Sequence, residues 1–456
     1  MTQINHNSIN HTLKQLLGII EEYKSLDRLS NTPPETLPYL DESGNQNIDL
    51  TLKYIEYYLE HSVNTNHPNF ANRMWAGSNT PAILGEIITA ITNTSACTSE
   101  SAPVSVQMEK YLLDEMLNIV GFKNGEGQMT TGSSNANMIA MMIARNKFSE
   151  NCKNSGLFNQ QKLVAFVNID SHYSFDKAAN ILGIGVNSLI KIKTNTLGEM
   201  DIFELEKEII KHKKLGNIPF FVAATLGTTV RGAYDNIAEI SRLKEKYGFF
   251  LHGDGAWGGA AIMSEKFKAK FLEKMEKLDS FTMDFHKMLG SALICNFLLF
   301  NNNNKSLTQA CALGDVSYIF REGSDFGIKS LQCGRKVDSL KWFLDWQFYG
   351  KKGFGERVEK YYDLITYAQN LIQNYPTLEI ISPQYSFNVC FRLKGSNDFN
   401  QAVRDKLLSD NKALLSIAFV DLKLVFRLLI ANQNTTKKTL EELFKMIVTT
   451  GEKISF

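Results

Sequence analysis

The stretch LHGDGAWGGA, residues 251–260, sets one carboxylate, Asp254, directly behind an apolar run and inside a cluster of glycines and alanines. Residues 247–252 read as a short strand covered on both faces. An acid at the carboxyl end of such a strand is costly to bury unless a positive group faces it. The small residues that follow leave room for something flat against the backbone. The stretch therefore asks which cation Asp254 meets.

Working outward, apolar runs recur between residues 127 and 300: KLVAFVN (162–168), PFFVAA (219–224), GFFLH (248–252), DSFTM (279–283) and ICNFLLF (294–300). Helical patterns separate most of them, as at Ile202–Lys213 and Ile237–Lys246. This alternation predicts an α/β fold with a mostly parallel central sheet and helices on both faces. Residues 50–120 and 334–375 read as helical. YSFNVCFRL (385–393), LKLVFRLLI (422–430) and KKTLEELFKMIV (437–448) predict a smaller C-terminal α+β domain. An amphipathic stretch and a proline-bearing connector fill residues 1–50, and NNNNK at 301–305 reads as a turn. The expected division is an N-terminal helical arm (1–85), a large domain (86–350) and a small domain (351–456).

The chain has 456 residues, long enough for two or three packed lobes. Lys plus Arg is 49 against 48 for Asp plus Glu, so no basic footprint for nucleic acid appears. The first ten residues, MTQINHNSIN, lack the features of a signal peptide. Apolar runs such as Ala292–Phe300 fall short of the roughly 20 residues of a membrane span. The six cysteines, at 97, 152, 295, 311, 333 and 390, show no metal-ligand spacing. A chain of this size needs no disulfide staples, so a reducing, cytoplasmic setting is expected.

Four segments carry candidate chemistry. In TTGSSNANMIAMMIAR (130–145), Gly132, Ser133 and Ser134 lead into a helix whose first N–H groups suit a phosphate; Ser134 or Asn135 would equally serve as a plain N-cap. In SHYSFDKAA (171–179), His172 follows a strand, at the edge where α/β sheets bind ligands, although a lone histidine is commonly structural. Thr228 and Thr229 of TLGTTVRGAYDNI (225–237) fall at the same edge and also read as an ordinary polar turn. In TMDFHKMLG (282–290), Lys287 has apolar neighbours that disfavour its charged form and favour a nucleophilic amine; alone, it also reads as a lysine passing a hydrophobic patch. Together, a phosphate turn, a histidine, an acid and a lysine are the set that pyridoxal 5'-phosphate needs. Asp254 would then face the ring nitrogen and keep it protonated.

These segments, with HPNFANRMWAG (67–77), ESAPVSVQME (100–109) and QCGRKVDSLKWFLDWQFYGKKGFGERVE (332–359), resemble the group II pyridoxal-phosphate-dependent amino acid decarboxylases. The closest look is to the glutamate and cysteine sulfinate decarboxylases, over roughly residues 67–450. The resemblance implies a fold-type I enzyme, a homodimer sharing its active sites, acting on a small amino acid. It implies Lys287 as the cofactor lysine and Asp254 as partner of the ring nitrogen. His172 matches the histidine stacked on the ring, Ala256 the small residue opposite, and Thr229 a threonine close to Asp254. Ser133, Ser134 and His286 match the phosphate site, and Gly334 a loop reaching the neighbouring subunit's phosphate. Arg427 matches the arginine that holds a substrate carboxylate.

The departures are informative. Asp284-Phe285 stands where the family has Asn-Pro, and Arg73 where glutamate-type enzymes have glutamine. Cys97, Ser99 and Ser105 replace expected aromatics. The segment 316–336 looks shorter than in relatives and lacks their proton-donating tyrosine between Ile319 and Gln332; Tyr318 is assigned to the preceding helix, which leaves solvent or His172 to protonate. Arg73 in the pocket would favour a second acidic group on the substrate through bidentate pairing; pointing to solvent or to Glu100, it would have no substrate role. The expected function is α-decarboxylation of aspartate, glutamate or cysteine sulfinate. Decarboxylation of a basic or aromatic amino acid, transamination or aldehyde release on the same fold, and a cofactor-dead homologue are the alternatives.

Overall fold

Asp201 and Asn236 start two of the helices that connect parallel strands. The Asp201 carboxylate accepts from the Phe203 and Glu204 N–H groups, opening the helix Ile202–Lys214. Asn236 accepts from the Glu239 N–H and opens Ile237–Tyr247. That second helix ends at Gly248, whose φ of 79° suits glycine. Tyr247 therefore closes a helix, and the strand expected at 247–252 runs instead over Phe250–Asp254. Asp254 is thus the last residue of the strand. The structure, a computed structural model, describes residues 6–25, 28–38, 40, 42, 44, 47–149, 151–302, 306–312, 314, 319–320 and 325–454. Tyr318 and much of NNNNK lie outside the described residues, as do parts of the 30–46 connector.

The strands among the described residues are β1 (Phe70–Ala71), β2 (Glu126–Met129), β3 (Leu163–Asn168), β4 (Leu189–Ile192), β5 (Ile218–Thr225), β6 (Phe250–Asp254), β7 (Ser280–Asp284), β8 (Asn296–Phe300), β9 (Leu378–Ser382), β10 (Asn388–Leu393), β11 (Leu414–Val420) and β12 (Lys423–Leu429). The large sheet has the order β2-β8-β7-β6-β5-β3-β4. Its pairs from β7 through β4 are parallel, and β8 runs antiparallel to both its neighbours. Every residue of β3, β6, β7 and β8 is buried, as a sheet covered on both faces requires. The small sheet, β1-β11-β12-β10-β9, is antiparallel except where β1 joins β11. The mostly parallel α/β architecture with a C-terminal α+β part agrees with the sequence reading.

The helix expected over 334–375 runs Ser339–Gln373, with a break in the helical backbone at Gly350 (φ 59°). One face of its first half packs on the turn after β7. All six cysteines are free. No helix among the described residues is long and apolar enough to cross a membrane.

Candidate active site

The parallel strands end in turns on one edge of the sheet, where α/β folds place their ligands. β6 delivers Asp254 to that edge and β7 delivers Asp284. The helix Ser133–Phe148 begins there after β2. Its N-cap, Gly132, has a φ of 99° and supplies no side-chain cap. The first-turn N–H groups of this helix thus lack the usual side-chain acceptor, the condition under which an anion is held. Ser133 is buried on this turn and Ser134 is exposed.

Asp254 is buried, and among the described residues no cation pairs with it. Its Oδ2 accepts from Asn137 Nδ2 at 2.9 Å and its Oδ1 from the Ala256 N–H at 3.1 Å. A relay orients Asn137. His252 is fully buried, and burial pushes it down to about 4, so it is neutral at pH 7. Its Nε2 lies 2.9 Å from Asn137 Oδ1 and its Nδ1 2.7 Å from Ser280 Oγ. With Nε2 donating, the Asn137 amide is fixed, and its N–H groups point at Asp254 and, at 3.0 Å, Ser174 Oγ. Two neutral dipoles hold the acid in place without cancelling its charge. Ala256 is the one residue between 251 and 260 that is not buried.

His172 follows β3, and its Nδ1 accepts the Ser174 N–H at 3.2 Å. Burial lowers its pKa; the charge of Asp254 opposes this and that of Lys287 adds to it. The ring is therefore neutral, with its proton on Nε2. Thr228 is buried and its hydroxyl accepts the Ala233 N–H, closing the turn after β5. Thr229 contributes its carbonyl, which accepts from Arg427 at 2.9 Å.

Lys287 Nζ stands 3.0 Å from Asp284 Oδ2, and His286 Nε2 lies 3.7 Å from the same oxygen. Phe285 anchors this turn. It is fully buried among Trp342, Phe354 and Phe297, with ring centroids 4.8, 5.7 and 6.1 Å away. Phe285→Ala is expected to cost about 3–5 kcal/mol of stability, read as a lower denaturant midpoint, and to loosen cofactor retention.

Arg427 on β12 is buried, with NH1 on the Thr229 carbonyl and NH2 on the Asn72 carbonyl at 3.0 Å. Its Nε has no hydrogen-bond partner. Burial pushes Arg427 down to about 10, and the neighbouring charge of Arg73 pushes the same way. Arg73 itself is exposed. Gly334 lies apart from this cluster, on an exposed loop with open space around it. The loop is pinned by Arg335, whose NH2 meets Glu109 Oε1 at 2.6 Å and the Met129 carbonyl at 3.1 Å. Phe326 packs against the Arg335 guanidinium, 5.1 Å from its ring centre, and is buried away from solvent.

Asn137, His252, Asn296 and the Glu109–Arg335 pair were not singled out in the sequence. The donor set fits pyridoxal phosphate: a buried acid with no cation partner among the described residues, an uncapped helix start, and a lysine on the next strand's turn. With that group bound, Ser133, Ser134 and His286 would be the residues at its phosphate, Asp254 the one at its ring nitrogen and Lys287 the one at its aldehyde carbon.

The profile described as the pyridoxal-dependent decarboxylase conserved domain matches residues 34–394. The chain is 35% identical over 347 residues to the acidic amino acid decarboxylase GADL1 of Xenopus tropicalis, covering 75% of this chain and 67% of that one. The Homo sapiens counterpart is 35% identical over 371 residues, covering 79% and 70%. The crystal structure of mouse CSAD in apo form superposes with a TM-score of 0.92 at 27% identity, covering 98% of this chain and 99% of that one. Oryza sativa TDC with PLP and tryptamine, at 20% identity and a TM-score of 0.90, shares the fold over 100% of this chain and 99% of that one. By profile, sequence and fold, this chain belongs to the pyridoxal-dependent decarboxylase family.

Proposed function

We propose that the chain removes the α-carboxylate of a small acidic amino acid, aspartate, glutamate or cysteine sulfinate, releasing carbon dioxide and the amine. The observation that carries the acidic substrate is the arginine pair. Arg427 is buried, keeps an unsatisfied Nε, and has Arg73 near enough to depress its pKa. Among the described residues neither guanidinium has a carboxylate partner. Two like charges left together without a counter-ion favour a ligand that brings two acidic groups. The GADL1 relatives carry the same substrate class in their names.

When bound, pyridoxal phosphate supplies a protonated ring that accepts the electron pair left as carbon dioxide departs. The chain's own residues do the rest. Arg427 would orient a carboxylate, and Asp254 would hold a proton on the ring nitrogen. His172 would lay a neutral ring beside the cofactor, and Lys287 Nζ would be the amine that holds it covalently. Phe326, buried against Arg335, does not take the place of the absent tyrosine.

Two copies are proposed to pair. The helix Thr80–Thr92 exposes Ile83, Leu84, Ile87, Ile88 and Ile91, a single stripe at helical spacing, which is the kind of face a second copy buries. The exposed Gly334 loop is consistent with a reach into a neighbouring subunit. A reducing, cytoplasmic setting is part of this reading and is supported by six free thiols.

The test is a panel of acidic, basic and aromatic amino acids, following carbon dioxide and the organic product together. We expect equimolar carbon dioxide and amine from at least one acidic member. Arg73→Gln should lower kcat/KM for that substrate by about tenfold or more, the worth of one charged hydrogen bond, without changing cofactor affinity. Turnover confined to basic or aromatic members, or a keto acid or aldehyde in place of the amine, would overturn the reading.

A further inference from the structure

Asp284 is the charged group whose presence the cofactor site does not explain. It sits at the end of β7 with its side chain 3% exposed, where a phosphate dianion is expected close by. Its two oxygens are used differently. Oδ1 accepts from Asn296 Nδ2 at 2.7 Å and from Ser133 Oγ at 3.1 Å, so it is filled by two neutral donors. Asn296 is itself oriented, its Oδ1 accepting from the Thr130 hydroxyl. Oδ2 instead faces Lys287 Nζ at 3.0 Å and His286 Nε2 at 3.7 Å. One oxygen fixes the carboxylate in place, and the other is left toward the amine that must lose its proton before it can bond to carbon.

We propose that Asp284 Oδ2 is the proton shuttle of Lys287, taking a proton from Nζ when the lysine bonds to the cofactor's aldehyde carbon and returning it when that bond is undone. The step balances. Oδ2 takes one proton from the Nζ ammonium, and the neutral nitrogen forms a bond to the aldehyde carbon. The carbon–oxygen bond then breaks, and the oxygen leaves as water with two of the original ammonium hydrogens, one of them carried by Oδ2. The carboxylate is ionised before and after, and the nitrogen keeps its positive charge. An asparagine at 284 preserves the bond from Asn296 but cannot accept a proton. The charged and titratable groups around Oδ2 are Lys287 and His286 on its own turn, His172 after β3, Asp254 on β6, and Lys341 on the helix Ser339–Gln373, which acts on His286.

The inference rests on the cofactor reading, and its test separates the two. Cofactor-free protein is mixed with pyridoxal phosphate, and the rise of visible absorbance is timed between pH 6 and 9. Borohydride trapping at Lys287 confirms the bond. The wild type is expected to capture cofactor at a nearly pH-independent rate, because its base is built in. D284N should lose about tenfold in rate for each unit the pH falls, since it depends on amine already neutral in solution. D284E returns a carboxylate one methylene further out. It should restore the flat profile with a rate at least about tenfold below wild type, because the proton must cross a misplaced contact. D284E alone serves if D284N does not fold. A D284N profile parallel to wild type, or a D284E rate equal to it, overturns the shuttle while leaving the cofactor in place. A wild type that never colours overturns the cofactor reading itself.

Discussion

Lys287→Ala protein is expected to stay colourless in excess pyridoxal phosphate, to take no borohydride label, and to lose on the order of 10³-fold or more in kcat/KM. No neighbouring lysine can stand in. Lys177 lies over the Tyr173 ring, 4.6 Å from its centre, and Lys341 is held by Asp338 at 2.8 Å. The same change also leaves a charge behind. In the wild type, burial pushes the Asp284 carboxyl up, but Lys287 first, then His286 and the hydrogen bonds, outweigh it and hold the group below the ordinary aspartate range. That contribution to stability is present above the ordinary aspartate pKa of about 3.9 and is lost as the pH falls through the folded value. Without Lys287 the sign reverses, because burial then dominates. The cofactor-free variant should be less stable by about 3–5 kcal/mol at pH 8, the cost of stranding one member of a buried pair. Its deficit should shrink as the pH is lowered toward 5. The double variant Lys287→Ala/Asp284→Asn should recover most of the stability and none of the colour. A pH-independent deficit would show that Asp284 and Lys287 are not paired in the cofactor-free protein.

Most of the strands that proved legible are buried along nearly their whole length. β3, β5, β7 and β8 fall within a residue or two of their apolar runs, because a strand covered on both faces carries apolar side chains along most of its length, the buried polar residues of β7 being Ser280, Thr282 and Asp284. β2 (EGQM) was not legible. Its glycine packs against the Leu299 side chain and the Leu298 carbonyl, and its Met129 N–H is satisfied by Glu109. Its strand character comes from partners and not from propensity. β4, β9 and β11 are partly exposed and carry no clean alternation. In the site, residues that would touch cofactor could be carried over from motifs, since chemistry fixes their type. The residues that aim them could not. His252 reads in sequence as one more member of an apolar strand, and only the fold brings it to Asn137. Arg335 and Glu109 are 226 positions apart, so nothing local announces their pairing. Asp284 was visible as a departure, yet its two differently engaged oxygens exist only in three dimensions.

Asp254→Asn is expected to remain yellow, to trap normally at Lys287, and to lose about 10²–10³-fold in kcat. The substitution is isosteric, but asparagine has a single oxygen, so only one of the two donors, the Ala256 N–H on Oδ1 or the Asn137 amide on Oδ2, keeps an acceptor. The phosphate and lysine contacts are untouched. What disappears is the negative charge, together with that one hydrogen bond. The charge is buried, held at 2.9 and 3.1 Å by neutral donors alone, and matched by no cation among the described residues. A full charge kept dry and uncompensated acts strongly on the single proton it faces. An amide cannot hold that proton, so the ring loses its capacity to draw electrons at the moment carbon dioxide leaves. The defect belongs to kcat, because the charge is needed as the bond breaks and not as the substrate docks. Moving the perturbation back one link should give a graded result. Asn137→Ala removes one donor and unmoors the acid, and it should cost less than Asp254→Asn while shifting the pH dependence of the bound cofactor's absorbance. A kcat for Asp254→Asn within about threefold of wild type would mean that the acid at the end of β6 does not face the ring nitrogen.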